Sequence, residues 1–227
     1  MTAAVITGAS RGIGRAAALA LAQRGLDVAL LARTERDLAD VAEIVARCGV
    51  TALPVRCDVT VAGDVSKAAA RVLETLGAPE VVVNNAGVIH RAPVHEMSLD
   101  DFRLVVDTNL TGTFLVTRAF LPAMLQQNRG RFVQMASISA TLGSPRASAY
   151  CAAKWGVVGF TKSLAEELRG TGLVAMSILP GSVDTSMLEG SGFSPQMTPD
   201  DVAKAIVYAA LDAPSAMNGS SLEMFGP

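Results

Sequence analysis

Short apolar runs recur along this chain, and longer amphipathic stretches separate them. Several of the runs are apolar on successive residues, which is typical of strands in a parallel sheet that helices cover on both faces. The alternation of strand and helix favours a doubly wound α/β fold. We predict a seven-stranded, mostly parallel sheet with strands at residues 3–7, 28–32, 52–56, 81–84, 131–135, 174–178 and 222–225.

Helix starts are indicated where a hydroxyl residue stands three positions before an acidic residue. Glycines that follow apolar-periodic stretches are expected to end helices, because a residue without a Cβ adopts the left-handed conformation at little cost. Pro199 is expected at a first helical position. The starts are Thr34 with Asp37, Ser98 with Asp101 and Thr198 with Asp201, and the stops are Gly25, Gly49 and Gly77.

One segment near the C-terminal end has the composition of a loop. Residues 189–198 are rich in Gly, Ser, Pro and Met, and we predict a short, mobile flap at about residues 185–199. Methionine usually fills core gaps, but Met187 and Met197 lie within this flap and are expected to face a substrate. With no linker or repeat elsewhere, the 227 residues are predicted to form a single domain over 1–227.

Composition and charge exclude several classes of partner. Lys and Arg number 19 against 21 Asp and Glu, and this net charge of -2 provides no broad positive field for nucleic acid or anionic lipid. The longest apolar runs are too short to span a bilayer, and no signal peptide is evident. Three cysteines without a Cys-x-x-Cys pair fit reduced thiols in the cytoplasm. His90 and His95 are interpreted as loop histidines, so no metal site is expected.

A glycine-rich turn follows the first predicted strand. Residues 7–14 (TGASRGIG) open a helix expected to run from Ala16 to Arg24. In this setting glycines let the backbone approach a pyrophosphate, while free N–H groups and the positive end of the helix dipole attract its charge. The turn therefore predicts a dinucleotide site in a Rossmann domain.

The end of the second predicted strand indicates which nucleotide binds. An acid there typically holds the ribose 2′-OH of NAD, whereas an arginine accommodates the 2′-phosphate of NADP. Arg33 stands at this point, and Arg11 of the glycine turn is close enough in sequence to assist. Glu35 has nearly the spacing of an NAD acid, but its place inside the helix capped by Thr34 is expected to aim it at solvent. NADP(H) is therefore favoured over NAD(H).

Tyr150 and Lys154 are four residues apart on a predicted helix that runs to about Arg169. Side chains at this spacing lie on one helical face and can meet. An ammonium near a phenol stabilises the phenolate and is expected to lower the tyrosine pKa towards working conditions. By itself, the pair is equally consistent with a surface contact between a ring and an alkyl stem.

The order and spacing of these motifs resemble the short-chain dehydrogenase/reductase family over nearly the whole chain. The resemblance is carried by the glycine turn, by Asn84, Asn85, Ala86 and Gly87 after the fourth strand, and by Asn109, Ser137, Tyr150, Lys154, Pro180, Gly181 and Thr185. It implies that Tyr150 transfers the substrate proton, that Lys154 holds the nicotinamide ribose and lowers the Tyr150 pKa, and that Ser137 binds the carbonyl. Asn109 would support a proton-relay water, and Ser139 would be a supporting residue.

The resemblance also implies the cofactor site and the assembly. Asp58 and Val59 would border the adenine, residues 85–87 would shape the wall under the cofactor, and Thr185 would contact the carboxamide or a phosphate. The stretch 147–168 would pack against its copy in a homotetramer or dimer. The expected cofactor-binding residues are Gly8, Ser10, Arg11, Gly12, Ile13, Gly14, Arg33, Asp58, Val59, Asn85, Ala86, Gly87, Lys154, Pro180, Gly181, Val183 and Thr185.

These features predict an oxidoreductase that transfers a hydride between NADP(H) and a carbonyl or secondary alcohol, with Tyr150 as general acid and base. A 3-oxoacyl-thioester reductase of fatty-acid or polyketide type is the alternative enzyme, although residues 220–227 lack the acidic-glycine ending common in acyl-carrier-type reductases. A protein that senses NADP(H) without turnover is the alternative from another class, and the complete Asn, Ser, Tyr and Lys set argues against it.

Overall fold

The computed structural model describes residues 2–227, and strands alternate with helices along them. The strands are β1 (Ala3–Thr7), β2 (Asp27–Ala32), β3 (Ala52–Arg56), β4 (Val81–Asn84), β5 (Gly130–Met135), β6 (Leu173–Pro180) and β7 (Ser221–Met224). The helices are α1 (Gly12–Gln23), α2 (Glu35–Ala46), α3 (Ala62–Leu76), α4 (Leu99–Val106), α5 (Gly112–Gln127), α6 (Ser148–Glu167) and α7 (Pro199–Val207).

The seven strands form one sheet in the order β3-β2-β1-β4-β5-β6-β7, and neighbouring strands pair in parallel. The predicted doubly wound sheet is therefore confirmed. β2 and β3 are added to one side of β1, and the chain then crosses to add β4 and the later strands on the other side. The direction in which strands are added therefore reverses between β1 and β4. In sheets of this kind, ligands bind beyond the carboxyl ends of the strands at such a switch point.

Helices cover both faces of the sheet, as the apolar runs predict. Ala4 and Ile6 of β1 pack in the layer that contains α1, α2 and α7. Val5, between them, packs in the opposite layer with α3, α5 and α6. Successive strand residues point to opposite faces, so a strand that is apolar at every position can fill two cores.

The helix starts agree with the sequence signals. Ser98 and Thr198 accept hydrogen bonds from the backbone N–H groups of Asp101 and Asp201, and Pro199 occupies the first position of α7. Thr34 does stand at the start of α2, but its side chain makes no capping bond, so this part of the prediction is wrong. The predicted stops Gly25, Gly49 and Gly77 all have a positive φ and follow α1, α2 and α3.

The two ends of the flap are bonded to each other. Val183 and Met197 form an isolated parallel bridge, and the N–H of Asp184 donates to the Met197 carbonyl at 2.9 Å. Between these ends, Ser186–Leu188 form one turn of 3-10 helix. Met197 is buried in the core with α7, so the expectation that it faces a substrate is wrong.

Residues 2–227 contain no helix that is long and apolar enough to cross a membrane. In the same range, no group of three or more His, Cys, Asp or Glu side chains is arranged to hold a metal ion. His90 lies 3.7 Å from Asp101, and His95 lies 3.4 Å from Glu96, at exposed positions. The three cysteines are free.

The two threonines that precede α2 and α7 provide a matched test of the capping bond, because only Thr198 makes one. We expect Thr198→Ala to lower the free energy of unfolding by about 1 kcal/mol, because the first turn of α7 loses its side-chain acceptor. Thr34→Ala should lower the free energy of unfolding clearly less, since the Thr34 hydroxyl makes no capping bond. Urea unfolding of both variants without cofactor checks this, and equal losses would contradict the assigned role of the Thr198 hydroxyl.

Candidate active site

The predicted site residues lie at one edge of the sheet, where the strands end. Thr7 ends β1, Asn84 ends β4, Met135 ends β5 and Pro180 ends β6. Because these strands are parallel neighbours, the loops that follow them meet above the same edge. Residues far apart in sequence thus surround one cleft.

The glycine turn is also the first turn of α1. The helix begins at Gly12, four residues earlier than expected, and the extended Arg11 precedes it without a side-chain capping bond. The first N–H groups of a helix lack partners within the helix, and no acidic residue lies in the first turn of α1 to satisfy them. This end of α1 therefore has the free donors and dipole charge that suit a phosphate.

Close contacts explain why this turn needs glycine. A Cβ on Gly14 would stand 2.2 Å from the Gly8 carbonyl oxygen, so no larger residue fits there without a backbone shift. Gly8 has a φ of +64°, and a Cβ on it would stand 3.0 Å from the Ala86 Cα. The turn is thus pressed against the loop after β4, as expected for residues 85–87 in the wall of a cofactor site.

Asn85 fixes the contact between these two loops. Its side-chain amide donates to the carbonyls of Thr7 at 3.0 Å and Gly8 at 3.3 Å. The Thr7 hydroxyl in return accepts the N–H groups of Asn85 at 2.9 Å and Ala86 at 3.0 Å. The Asn85 amide nitrogen is thus used to hold the glycine turn.

Charged residues surround the end of the cleft beyond β2 and β3. Arg33 and Arg11 are exposed and form no ion pair with an acidic residue among residues 2–227. Partial burial raises the pKa of Asp58, but hydrogen bonds from Thr60 and the charges of Arg33 and Arg56 outweigh it and lower that pKa overall. Arg33 therefore lies close enough to Asp58 for its charge to act on that carboxylate, whereas Glu35 is exposed on the first turn of α2.

Val59 lies next to Asp58 and is buried. A Cβ on Gly112, at the start of α5, would stand 2.8 Å from the Val59 Cγ2. Ile13 and Ala86 are half-buried against the two halves of the core, and Ser10 is half-buried in the turn. These side chains line or support the cleft through packing.

Tyr150 and Lys154 lie near the start of α6, and both are buried. The Lys154 Nζ donates to the Met135 carbonyl at 2.7 Å and stands 5.5 Å from the centre of the Tyr150 ring. The Ser137 hydroxyl donates to the Pro180 carbonyl at 3.4 Å and accepts the N–H of Ser139 at 3.1 Å. The pair on α6 therefore belongs to the cleft, and the alternative of a surface contact does not apply.

Burial controls the protonation of this pair. Burial raises the pKa of Tyr150 to about 12, and the nearby Ser137 hydroxyl only partly opposes the shift. Burial also lowers the pKa of Lys154 to about 8, because no carboxylate compensates its charge. The expectation that Lys154 lowers the Tyr150 pKa is not met in this structure, since loss of hydration dominates for both groups.

Asn109 stands where the helix is locally widened. Between α4 and α5, Asp107–Thr111 form a π-helical turn, which the sequence pattern does not reveal. The Asn109 amide donates to the carbonyls of Val88 and Val105 at 2.8 Å, and its Oδ1 is buried without a partner among residues 2–227. A Cβ on Gly87 would stand 2.7 Å from this Oδ1 and 3.7 Å from the Lys154 Nζ, so glycine keeps the space beside both atoms open.

The segment after β6 covers the other side of the cleft. The Gly181 N–H donates to the Met224 carbonyl at 2.8 Å, and Val183 is buried. Thr185 lies over the glycine turn, because a Cβ on Gly12 would stand 3.3 Å from its Cγ2. Further along, the Tyr150 hydroxyl points at the Met187 sulfur at 3.9 Å. Met187 therefore lies beside the predicted catalytic hydroxyl.

Comparison with known proteins identifies this arrangement. Residues 2–193 match the family model described as short chain dehydrogenase. The chain belongs to this family. Over 224 residues it is 38% identical to a 3-oxoacyl-[acyl-carrier-protein] reductase of Synechocystis sp., which covers 94% of this chain and 90% of the relative.

Solved structures of short-chain dehydrogenases agree with the fold. A short-chain type dehydrogenase/reductase from Mycobacterium marinum superposes with a TM-score of 0.94 at 34% identity, covering 99% of this chain and 94% of that one. An alcohol dehydrogenase from Thermococcus sibiricus, complexed with 5-hydroxy-NADP, gives a TM-score of 0.90 at 30% identity, covering 99% and 96%. The chain is therefore a member of an oxidoreductase family that uses nicotinamide cofactors and acts on C=O or CH–OH groups.

The buried Lys154 gives a prediction about stability and pH. Its folded pKa of about 8 lies below the ordinary value of 10.5, so the unfolded chain binds more protons between these pH values. The free energy of unfolding contributed by this group therefore rises with pH across that window. The hydrogen bond to Met135 needs only an N–H and survives deprotonation.

We expect the stability of Lys154→Met relative to the native protein to decrease by roughly 2 kcal/mol between about pH 7 and about pH 9.5. Urea unfolding without cofactor at the two pH values measures this. Lys162→Met is the control, because it changes an exposed lysine of the same helix. A constant difference for Lys154→Met would show that the Lys154 charge is not penalised in the folded state.

Proposed function

We propose that this protein is an NADP(H)-dependent carbonyl reductase or secondary-alcohol dehydrogenase, with Tyr150 as its general acid and base. The supporting observation is the meeting of Ser137, Tyr150, Lys154 and Asn109 above the glycine turn, at the carboxyl edge of the sheet. Each of these four side chains is at most 8% exposed. Buried polar groups without a structural need are costly, and this cost is consistent with a catalytic role.

The chemistry divides between cofactor and protein. When bound, the nicotinamide would supply or accept the hydride. The protein must then hold the carbonyl, stabilise the oxyanion that develops and deliver one proton. We assign carbonyl binding to the hydroxyls of Ser137 and Tyr150, and the proton to Tyr150.

The Tyr150 pKa of about 12 fits the reductive direction. The phenol remains protonated at neutral pH, and the developing alkoxide is a strong base that accepts its proton. In the oxidative direction Tyr150 must instead lose the proton, and the positive charge of an oxidised nicotinamide ring would favour this. The open space beside the Asn109 Oδ1 and the Lys154 Nζ suits a water that passes the proton onwards.

NADP(H) is the preferred cofactor in this proposal. Arg33 and Arg11 flank the end of the cleft without ion-pair partners in residues 2–227, so both are available to a 2′-phosphate. Glu35, the candidate for an NAD acid, begins α2 at an exposed position. The structural relative from Thermococcus sibiricus was solved with an NADP derivative, which agrees with this choice.

The second candidate function is reduction of 3-oxoacyl thioesters. The 38% identity to the Synechocystis reductase over most of both chains favours it. A thioester panel therefore belongs in the first substrate screen, beside steroid ketones, sugars and simple diketones. Sensing of NADP(H) without turnover would leave the buried Tyr150 hydroxyl without a task, so it is the weaker proposal.

We also infer a homo-oligomer, as a tetramer or dimer. Large apolar side chains are exposed on α4, α5 and α6, at Leu104, Phe114 and Trp155, with exposed fractions of 43% to 54%. Apolar surface of this kind is typical of protein contacts. Light scattering of the purified protein measures the assembly directly.

Tyr150→Phe tests the proton-transfer role. Removing the hydroxyl should lower kcat about 100-fold to 10,000-fold, the usual contribution of general acid catalysis, while NADPH binding persists. Tyr208→Phe is a matched control, because Tyr208 is the chain's only other tyrosine and its hydroxyl also contacts a methionine sulfur, that of Met217 at 3.4 Å. NADPH consumption across the carbonyl panel gives the rates, and NADPH fluorescence gives binding.

The outcomes separate the proposals. Turnover that depends on Tyr150 and is unaffected by Tyr208→Phe supports the enzyme. A Tyr150→Phe variant that keeps most of the rate would remove Tyr150 from the mechanism. Binding of NADPH without turnover of any panel member would favour the sensor.

Arg33→Asp tests cofactor choice. The change places a repelling charge beside the 2′-phosphate, and we expect the ratio of kcat/KM for NADPH over NADH to decrease about tenfold or more. Arg47→Asp, an exposed change at the far end of α2, controls for net charge. An unchanged ratio in Arg33→Asp would exclude Arg33 as the phosphate-binding residue.

A further inference from the structure

Arg91 lies in the loop after β4 and is joined to two other segments of the active site. Its neighbour Ala92 donates its N–H to the Arg146 carbonyl at 2.9 Å. Arg146 precedes α6 and has a φ of +61°, an unusual conformation for a residue with a side chain. The loop that carries Arg91 is therefore hydrogen-bonded to the segment that leads to Tyr150.

The Arg91 side chain reaches the flap. Its Nη2 donates to the Met187 carbonyl at 3.1 Å, and its Nη1 donates to the Glu189 carbonyl at 3.3 Å. These carbonyls lie at the end of the 3-10 turn Ser186–Leu188, where backbone acceptors lack partners within the turn. A planar guanidinium can bind two such acceptors at once, which a single ammonium does not do with the same geometry.

Met187 connects this link to the candidate catalytic hydroxyl. Its backbone carbonyl is held by Arg91, and its sulfur accepts the Tyr150 hydroxyl at 3.9 Å. Thioether sulfur is a weak acceptor, so a carbonyl oxygen would replace it readily. The position of Met187 thus limits the space in which a substrate carbonyl can reach Tyr150.

We propose that Arg91 is a positioning residue of the active site: its side chain links the flap to the loop after β4, which is itself bonded to the segment before α6, and so fixes Met187, and the space for the substrate carbonyl, over the Tyr150 hydroxyl. This inference rests on the proposed function of Tyr150. It concerns a residue for which the sequence carries no motif, since Arg91 lies in an irregular loop.

The charge of Arg91 adds a second effect that can be measured separately. The groups that act on Tyr150 are Ser137 from the segment after β5, Cys151 and Lys154 from α6, and Arg91 from the loop after β4. Arg91 is the member of this set whose charge lowers the Tyr150 pKa in this structure. Removing that charge should raise the pKa, and keeping a cation should preserve it.

Arg91→Gln and Arg91→Lys separate the effect of the hydrogen bonds to the flap from the effect of the positive charge. Both variants change the hydrogen bonds, but only Arg91→Gln removes the charge. The assay uses whichever carbonyl compound is reduced fastest among a 3-oxoacyl thioester, a steroid ketone and a simple diketone. Both variants lose the two-pronged contact, so we expect KM for this compound to rise about tenfold or more in each. Arg47→Gln, at an exposed arginine outside the site, should match the native protein.

The pH profile supplies the readout that a purely structural role would not change. In the oxidative direction the rate rises as Tyr150 loses its proton. The midpoint of this rise should move to higher pH in Arg91→Gln and stay in place in Arg91→Lys. Hydrogen exchange of the amides in residues 185–197 should be faster in both variants than in the native protein, and NADPH binding and circular dichroism confirm folding.

The inference would be overturned if Arg91→Gln had the same KM, the same midpoint of the pH profile and the same hydrogen-exchange rates as the native protein. That result would leave the proposed function of Tyr150 intact. Faster exchange with an unchanged midpoint would overturn the electrostatic part alone. If the native protein shows no turnover that depends on Tyr150, the proposed function fails first, and the positioning role falls with it.

Discussion

The packing of the glycine turn against the loop after β4 is the constraint on which the rest of the site depends. Gly14 lies so close to the Gly8 carbonyl that a Cβ has no room, and the Asn85 amide donates to the consecutive carbonyls of Thr7 and Gly8. β1 and β4 are neighbours across the point where the sheet changes direction. Holding their loops together fixes the start of α1, and with it the free N–H groups that suit a pyrophosphate.

Polar side chains at the same edge of the sheet are buried, and burial sets their pKa values. Lys154 is bonded to a neutral carbonyl of β5 and has no carboxylate partner, so burial favours its uncharged form. Tyr150 is likewise kept in its neutral form. The proposed reductive reaction needs a phenol that holds its proton until an alkoxide forms beside it, and burial keeps Tyr150 protonated. The reverse reaction needs added positive charge, and Arg91 is the protein residue whose charge lowers the Tyr150 pKa.

Local sequence signals are sufficient for much of this molecule. The strands follow from apolar runs because a doubly covered sheet buries every position, as at Ala4, Val5 and Ile6. Thr198 and Asp201 form the capping box that their spacing predicts. Thr34 has the same spacing, but a cap also depends on where the helix points the hydroxyl, and here no bond forms. The pattern alone does not distinguish the two cases.

The parts that sequence did not reveal depend on tertiary contacts. The π turn around Asn109 follows from no periodicity or capping signal, yet it leaves the Asn109 Oδ1 buried beside Gly87. The pKa of Tyr150 reflects how much water its surroundings exclude, which the spacing to Lys154 does not encode. Arg91 gains its contacts only when the flap folds back over the loop after β4. The residues that recognise a substrate are therefore expected in loops whose geometry is set by such contacts, whereas Tyr150 and Lys154 lie on the regular helix α6, where their spacing reveals the pair.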